Sequence, residues 1–225
     1  MFTIAEELLL LALHDKKGTV VARANSSLDF GLAGAFIGEL ALRERVKADG
    51  KKLVVTDTTP VDDPYLNEIF EEIKNFGKEL KIKGWVEKFG YRMKKKKKGM
   101  MTRLAERGVL EEKEKEILFV FKRKKYPSKD ASYEQEIRTK LNEAFESTEP
   151  PEPRTLILLS LIDACDLVKQ VFPKEEAKQK KKQIRKWAKR NPYGKAVNQA
   201  IQATNASVFA AVGAAAAASA TSGSS

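Results

Sequence analysis

Apolar residues recur along this chain mainly at helical spacing, in blocks separated by charged or turn-forming stretches. Thr3 followed by Ala5, Glu6 and Glu7 has the form of a helix N-cap with acids in the first turn. The leucine-rich run over residues 8–13 then predicts a helix buried on nearly all sides, stopped by Lys16, Lys17 and Gly18. Residues 19–22 read as a short strand. GLAGAFIGELALRERV resumes a helical period with Gly31, Gly34 and Gly38 on or near one face, a spacing that lets a neighbouring helix approach closely. No Lys-Ser or Lys-Thr pair follows these glycines, which argues against a phosphate-binding loop.

Asp49-Gly50 between two β-prone runs predicts a hairpin. After a turn at residues 59–64, where Asp62 and Asp63 read as turn and cap residues, YLNEIFEEIKNF and IKGWVEKFGYRM give helices with Phe70, Ile73, Trp85 and Phe89 as core positions. A run of lysines then opens a helix that ends at Gly108. A second hairpin follows in EEKEKEILFVFKRKKYP, with residues 117–121 as its apolar arm and Pro127 as its stop. Helices are predicted over residues 133–145 and 155–171, with a proline linker at 149–153 between them. AKQKKKQIRKWAKR and NPYGKAVNQAIQATNASVF supply the last helical segments, and the alanine- and serine-rich residues from 207 read as a disordered tail. The expected architecture is mainly α: a single domain over residues 1–206, built as a helical bundle with amphipathic helices around it and two or three short hairpins, and a tail over 207–225.

Composition narrows the function more than the fold. The chain has 225 residues, long enough for a substantial core, and a formal net charge of +11 that favours an anionic partner. Cys165, the single cysteine, sits in the apolar pattern LILLSLIDACDLVKQVF and reads as a core residue. The single histidine, His14, lies far from it in sequence, so no thiol–imidazole pair suggests itself. The opening segment carries Glu6 and Glu7 ahead of its leucines and lacks a cationic start, unlike a secretory signal. No apolar run reaches the roughly 18–20 residues that cross a bilayer. No catalytic, metal-ligating or cofactor-binding set stands out.

The most informative segment is YRMKKKKKGMMTRLAER. From Arg92 to Arg103 it holds seven cations and no acid. Such a potential attracts phosphorylated lipid headgroups or nucleic acid. Each lysine held near an anionic leaflet contributes about 1 kcal/mol, so residues 94–98 give at most about 5 kcal/mol. That corresponds to a dissociation constant of roughly 0.2 mM, so stable residence on a membrane requires a second signal. AKQKKKQIRKWAKR holds eight further cations, with Ile184 and Trp187 three apart; it reads as a packed helix with a basic solvent face. The competing class is a winged-helix-like nucleic-acid-binding protein, because a helix followed by a hairpin occurs twice. Against it, the cations are lysines rather than the side chains that read base edges. A basic face meeting acidic protein tails is a third reading, compatible with the first.

Taken in order, AEELLLLAL, GLAGAFIGELALRERV, LVVTDTTPVDDPYLNE, the WVEKFG helix, TRLAERGVLEEKEKEILFVF and the late KAVNQAI helix resemble the Golgi phosphoprotein 3 family over nearly everything but the tail. The resemblance implies a predominantly helical fold and a peripheral membrane protein on the cytosolic face. It further implies recognition of phosphatidylinositol 4-phosphate, no catalysis, and in eukaryotes a coat adaptor role in retaining glycosyltransferases in the Golgi. The family's pocket combines a tryptophan, an arginine just after a Gly-Leu in the second helix, and two basic residues three apart. Carried over, the paired cations fall on Lys94 and Lys97, the arginine on Ala33 and the tryptophan near Ala24. Arg92 and Lys98 join Lys94 and Lys97 as candidate headgroup ligands, with Arg23 and Phe30 as further candidates for the missing cation and ring. The acidic and lysine-rich residues 111–116 depart from a purely apolar membrane-inserting loop, so a specific headgroup pocket, entry of the 117–121 arm into the interface and avidity from oligomers stand as alternative second signals. The chain opens directly on the domain, without the basic arm of eukaryotic members, and so reads as a compact, bacterial-type member.

Overall fold

The computed structural model describes residues 2–78, 80–117, 121–190 and 206–213, with the backbone alone for 115–117, 121–123 and 190. It is mainly helical, in the order α1 (Ile4–Leu11), α2 (Leu28–Leu42), the hairpin β1 (Val46–Asp49) and β2 (Lys52–Val55), α3 (Pro64–Lys74) and α4 (Ile82–Glu106). A second hairpin, β3 (Lys113–Ile117) and β4 (Phe121–Lys125), precedes α5 (Ser132–Glu143), α6 (Pro153–Ala164), α7 (Val168–Val171) and α8 (Lys174–Arg190). Each hairpin is antiparallel, with registers running from Val46 opposite Val55 and from Lys113 opposite Lys125.

The core is organised around α2. Between Leu28 and Ala41 only Asp29 escapes burial, the signature of a helix apolar all round. It packs against α1, α3, α4 and α6, while α8 lies outside, on α6 and α7. A Cβ added at Gly31 would meet Cys165 Sγ at 2.2 Å, so this glycine lets the segment after α6 approach α2. Cys165 is fully buried; its Sγ donates to Ser27 O at 3.7 Å, and burial pushes its thiol up to about 12. A thiol in that state is a packing group rather than a nucleophile.

Local chemistry sets the helix ends. Thr3 and Glu6 close a capping box on α1, with Glu6 N donating to Thr3 Oγ1 at 3.2 Å and Thr3 N donating to Glu6 Oε2 at 2.9 Å. Asp63 caps α3 through Leu66 N at 2.8 Å, with Pro64 in the first turn. Helices α2, α4 and α6 finish in the same paired carbonyl arrangement, with a left-handed residue just past the end: Glu44 (φ 57°), Gly108 (φ 76°) and Asp166 (φ 55°). In each, the following amide reaches back five residues: Arg45 N to Leu40 O, Val109 N to Leu104 O, and Leu167 N to Ile162 O.

Four expectations change. Residues 19–22 form no extended strand: they pair antiparallel with residues 12–14 only through the bridge of Leu13 and Val20, and the 3-10 turn over Ala22–Ala24 ends the pairing. The helix predicted over 155–171 breaks at Asp166, whose left-handed backbone turns the chain into α7. The lysines do not open a helix; they lie in the middle of one 25-residue helix, about 37 Å long, running from Ile82 to Glu106. Residues 206–213, assigned to the tail on composition, form a helix that buries Val208 and Ala211 at i and i+3. The NPYGKAVNQAI segment and the tip of the second hairpin lie outside the described residues.

Buried carboxylates tie the bundle together. Glu6 meets Arg103 (3.0 Å) and Arg107 (3.4 Å), and Arg103 also reaches Asp63 at 2.7 Å, linking α1, the α3 cap and α4. Glu39 accepts from Ile4 N at 3.0 Å and from Arg154 at 3.1 Å. Asp163 holds Arg185 (2.7 Å) and Lys181 (3.1 Å), joining α6 to α8. Each carboxylate leaves water only because cations and amide donors surround it.

Candidate functional site

An open cleft of about 1030 Å³ runs between α4, the connection from α1 to α2, and the second hairpin. Lys94, Lys97, Lys98 and Met101 enter it from α4; His14, Lys17, Thr19 and Asn25 from the connection; Lys124 and Tyr126 from β4 and its exit. Among the described residues that line it, Glu114 is the acid. The floor is fixed by backbone contacts: Tyr126 N donates to Gly18 O at 2.9 Å, and Ser128 N to Asp15 O at 2.9 Å. Gly18 is required there, since a Cβ would meet Pro127 N at 2.1 Å at a backbone of φ +58°.

Helical phase sorts the cations of α4. Met93, Met100 and Leu104 face the core. Arg92 and Lys96 fall on the flank beside α3, where Arg92 pairs with Glu72 at 2.7 Å and Lys96 with Glu68 at 2.6 Å. Lys97 falls on the opposite flank and pairs with Asp29 of α2 at 2.5 Å, leaving its side chain 17% exposed. Arg103 is held by Glu6 and Asp63. Lys94, Lys95 and Lys98 point outward and have no ion partner among the described residues.

The structure therefore brings Lys94, Lys97 and Lys98 together in one cleft and leaves Arg92 outside it. Ala24 and Ala33 are both fully buried, so neither position presents a side chain to the cleft. Phe30 is 5% exposed and serves as core, and Arg23 sits in the 3-10 turn between the cleft-lining Ala22 and Asn25. His14, Lys17, Thr19, Lys124 and Tyr126 carry no sequence signal that would have joined them to the lysines, being distant in the chain. Glu112, which does not line the cleft, takes a hydrogen bond from Lys124, which holds its carboxyl below the ordinary value; burial pushes the Tyr126 phenol above its own.

The basic cluster on α8 is a packed helix with a basic solvent face, as its sequence predicts. Ile184 and Trp187 are buried, with Trp187 Nε1 donating to Thr148 O at 2.9 Å and its ring 5.0 Å from that of Phe145. Lys178, Lys182 and Lys186 follow one another every four residues on its exposed face.

Among the described residues no helix is long and apolar enough to cross a membrane. Residues 4–204 match the family model described as Golgi phosphoprotein 3 (GPP34). No curated protein matches the chain.

Proposed function

Because the chain belongs to the Golgi phosphoprotein 3 family, we propose that it is a peripheral membrane protein whose lysine-lined cleft holds the phosphorylated headgroup of an anionic lipid, phosphatidylinositol 4-phosphate being the best fit. The observation that carries this reading is the convergence of Lys94, Lys97, Lys98 and Lys17 on one open cleft, where cations outnumber acids among the described lining residues. A phosphomonoester carries about −1.5 to −2 charges near neutral pH, more than the diester of an ordinary anionic lipid. Lysines act as rotatable point charges rather than as a planar fork, so this cleft favours charge density over bidentate geometry. Retention of the family's adaptor role, with cytosolic protein tails as partners, is part of the same proposal.

The free cations alone are insufficient. Lys94, Lys95 and Lys98 together offer about 3 kcal/mol near an anionic leaflet, a dissociation constant weaker than about 1 mM. The cleft must add specific contacts. Sedimentation with phosphatidylcholine vesicles holding a few per cent phosphatidylinositol 4-phosphate tests this, beside phosphatidylserine vesicles of matched charge. The protein is expected to prefer the former; equal binding reduces the cleft to simple electrostatics. A duplex DNA titration in the same buffer separates the competing class, since sub-micromolar binding with a steep salt slope would favour it.

Asp29 competes with the headgroup for Lys97. Asp29→Asn removes a carboxylate from the cleft margin and frees one ammonium, so vesicle affinity is expected to rise on the order of tenfold. An unchanged or lower affinity in the same assay would mean that Lys97 serves the fold alone.

A further inference from the structure

We infer that Tyr91 is an interfacial anchor: the outward face of α4 lies on an anionic bilayer, with the Tyr91 ring at the boundary between headgroups and acyl chains and Lys94, Lys95 and Lys98 around it. This rests on the headgroup reading of the adjoining cleft and adds to it a lipid contact outside that cleft.

Tyr91 is 70% exposed, against 41% for Phe209 and 36% for Tyr133, the other large exposed aromatics among the described residues. All three have a neighbouring group: Tyr133 packs edge-on to Phe2 at 5.4 Å, the Arg185 guanidinium lies 5.9 Å from the Phe209 ring, and Tyr91 meets Phe30. Tyr91 leaves most of its ring in water. Lys94, Lys95 and Lys98 follow it at three, four and seven residues, so all four side chains share one face of α4. Glu87 lies on the same face, four residues before Tyr91, and is answered by Lys83 at 3.6 Å. The face is therefore an aromatic with an amphipathic ring set among lysines that are unpaired among the described residues, the combination suited to a negatively charged membrane interface.

The ring is also held in place. It stands edge-on to Phe30, with centroids 5.2 Å apart and planes at 85°. Phe30 in turn lies over Gly90, where a Cβ would meet its ring at 2.3 Å. Buried Phe30 thus supports the exposed ring, and less side-chain freedom is lost when it docks. Since Lys94 and Lys98 serve both this face and the cleft wall, a headgroup in the cleft would bring the acyl boundary to Tyr91.

The full chain with Tyr91→Ala tests this, using phosphatidylinositol 4-phosphate vesicles and, separately, the soluble headgroup inositol 1,4-bisphosphate. Vesicle partition is expected to fall about tenfold with headgroup binding and thermal stability unchanged. Tyr91→Trp is expected to keep vesicle binding, and because Trp85 and Trp187 are buried, the introduced indole should report a blue shift and quenching by brominated acyl chains. Wild-type partition in Tyr91→Ala, or an indole that neither shifts nor is quenched on bound vesicles, overturns the inference. Wild-type protein that takes up inositol 1,4-bisphosphate but ignores vesicles overturns it while leaving the cleft reading in place; protein that binds neither overturns both.

Discussion

Reversing Lys94 and Lys98 together to glutamate is expected to lower the affinity for phosphatidylinositol 4-phosphate vesicles on the order of a thousandfold. Each reversal removes about 1 kcal/mol of attraction and adds about as much repulsion, giving about 4 kcal/mol for the pair. Both side chains are exposed and unpaired among the described residues, so the melting temperature is expected to stay within about 2 °C of wild type. Lys97 is a poorer reporter, because a glutamate there would face Asp29, which now accepts its ammonium. Vesicle sedimentation with a parallel thermal melt reads both halves. Binding retained by the double variant would move the lipid site away from α4.

Glu6→Ala is expected to have the largest effect on stability. Glu6 is buried, completes the α1 capping box, and answers Arg103 and Arg107 of the α4 end. Breaking a buried pair by removing one partner costs about 3–5 kcal/mol, and the lower figure applies because Arg103 keeps Asp63 and some solvent. For a chain of this size, about 3 kcal/mol lowers the melting temperature by roughly 6–12 °C. A fall of less than about 2 °C would show that Asp63 alone positions Arg103. The two predictions separate the roles along α4: its lysines meet the partner, while its last turn is tied into the fold.

What was legible in the sequence follows from range. The capped starts of α1 and α3 and the turn at Gly50 are written in adjacent residues, and each forms as expected. So does the close approach at Gly31, though its partner, Cys165, lies far along the chain. The continuity of α4 was hidden because Gly90 and Gly99 look like interruptions until Phe30 and Tyr65 are seen packed against them. Asp166 carried no sign of its left-handed backbone, which a glycine would have announced.

The candidate site was legible in part. Lys94 and Lys97 share a face by spacing alone, but the pairing of Lys97 with Asp29, 68 residues away, is a tertiary fact. So is the arrival of Lys17 and Lys124 on the opposite walls. Charge counting treated all seven cations from Arg92 to Arg103 as available. Folding commits Arg92, Lys96, Lys97 and Arg103 to carboxylates of the protein itself, and the outward potential comes from the remainder.

The most direct test is an amide-resolved NMR titration of the full chain with inositol 1,4-bisphosphate. Saturable shifts gathered at residues 14–25, 94–101 and 124–126, the three walls of one cleft, are the predicted result. Shifts centred instead on the basic face of α8, or none at concentrations where vesicles bind, would contradict it.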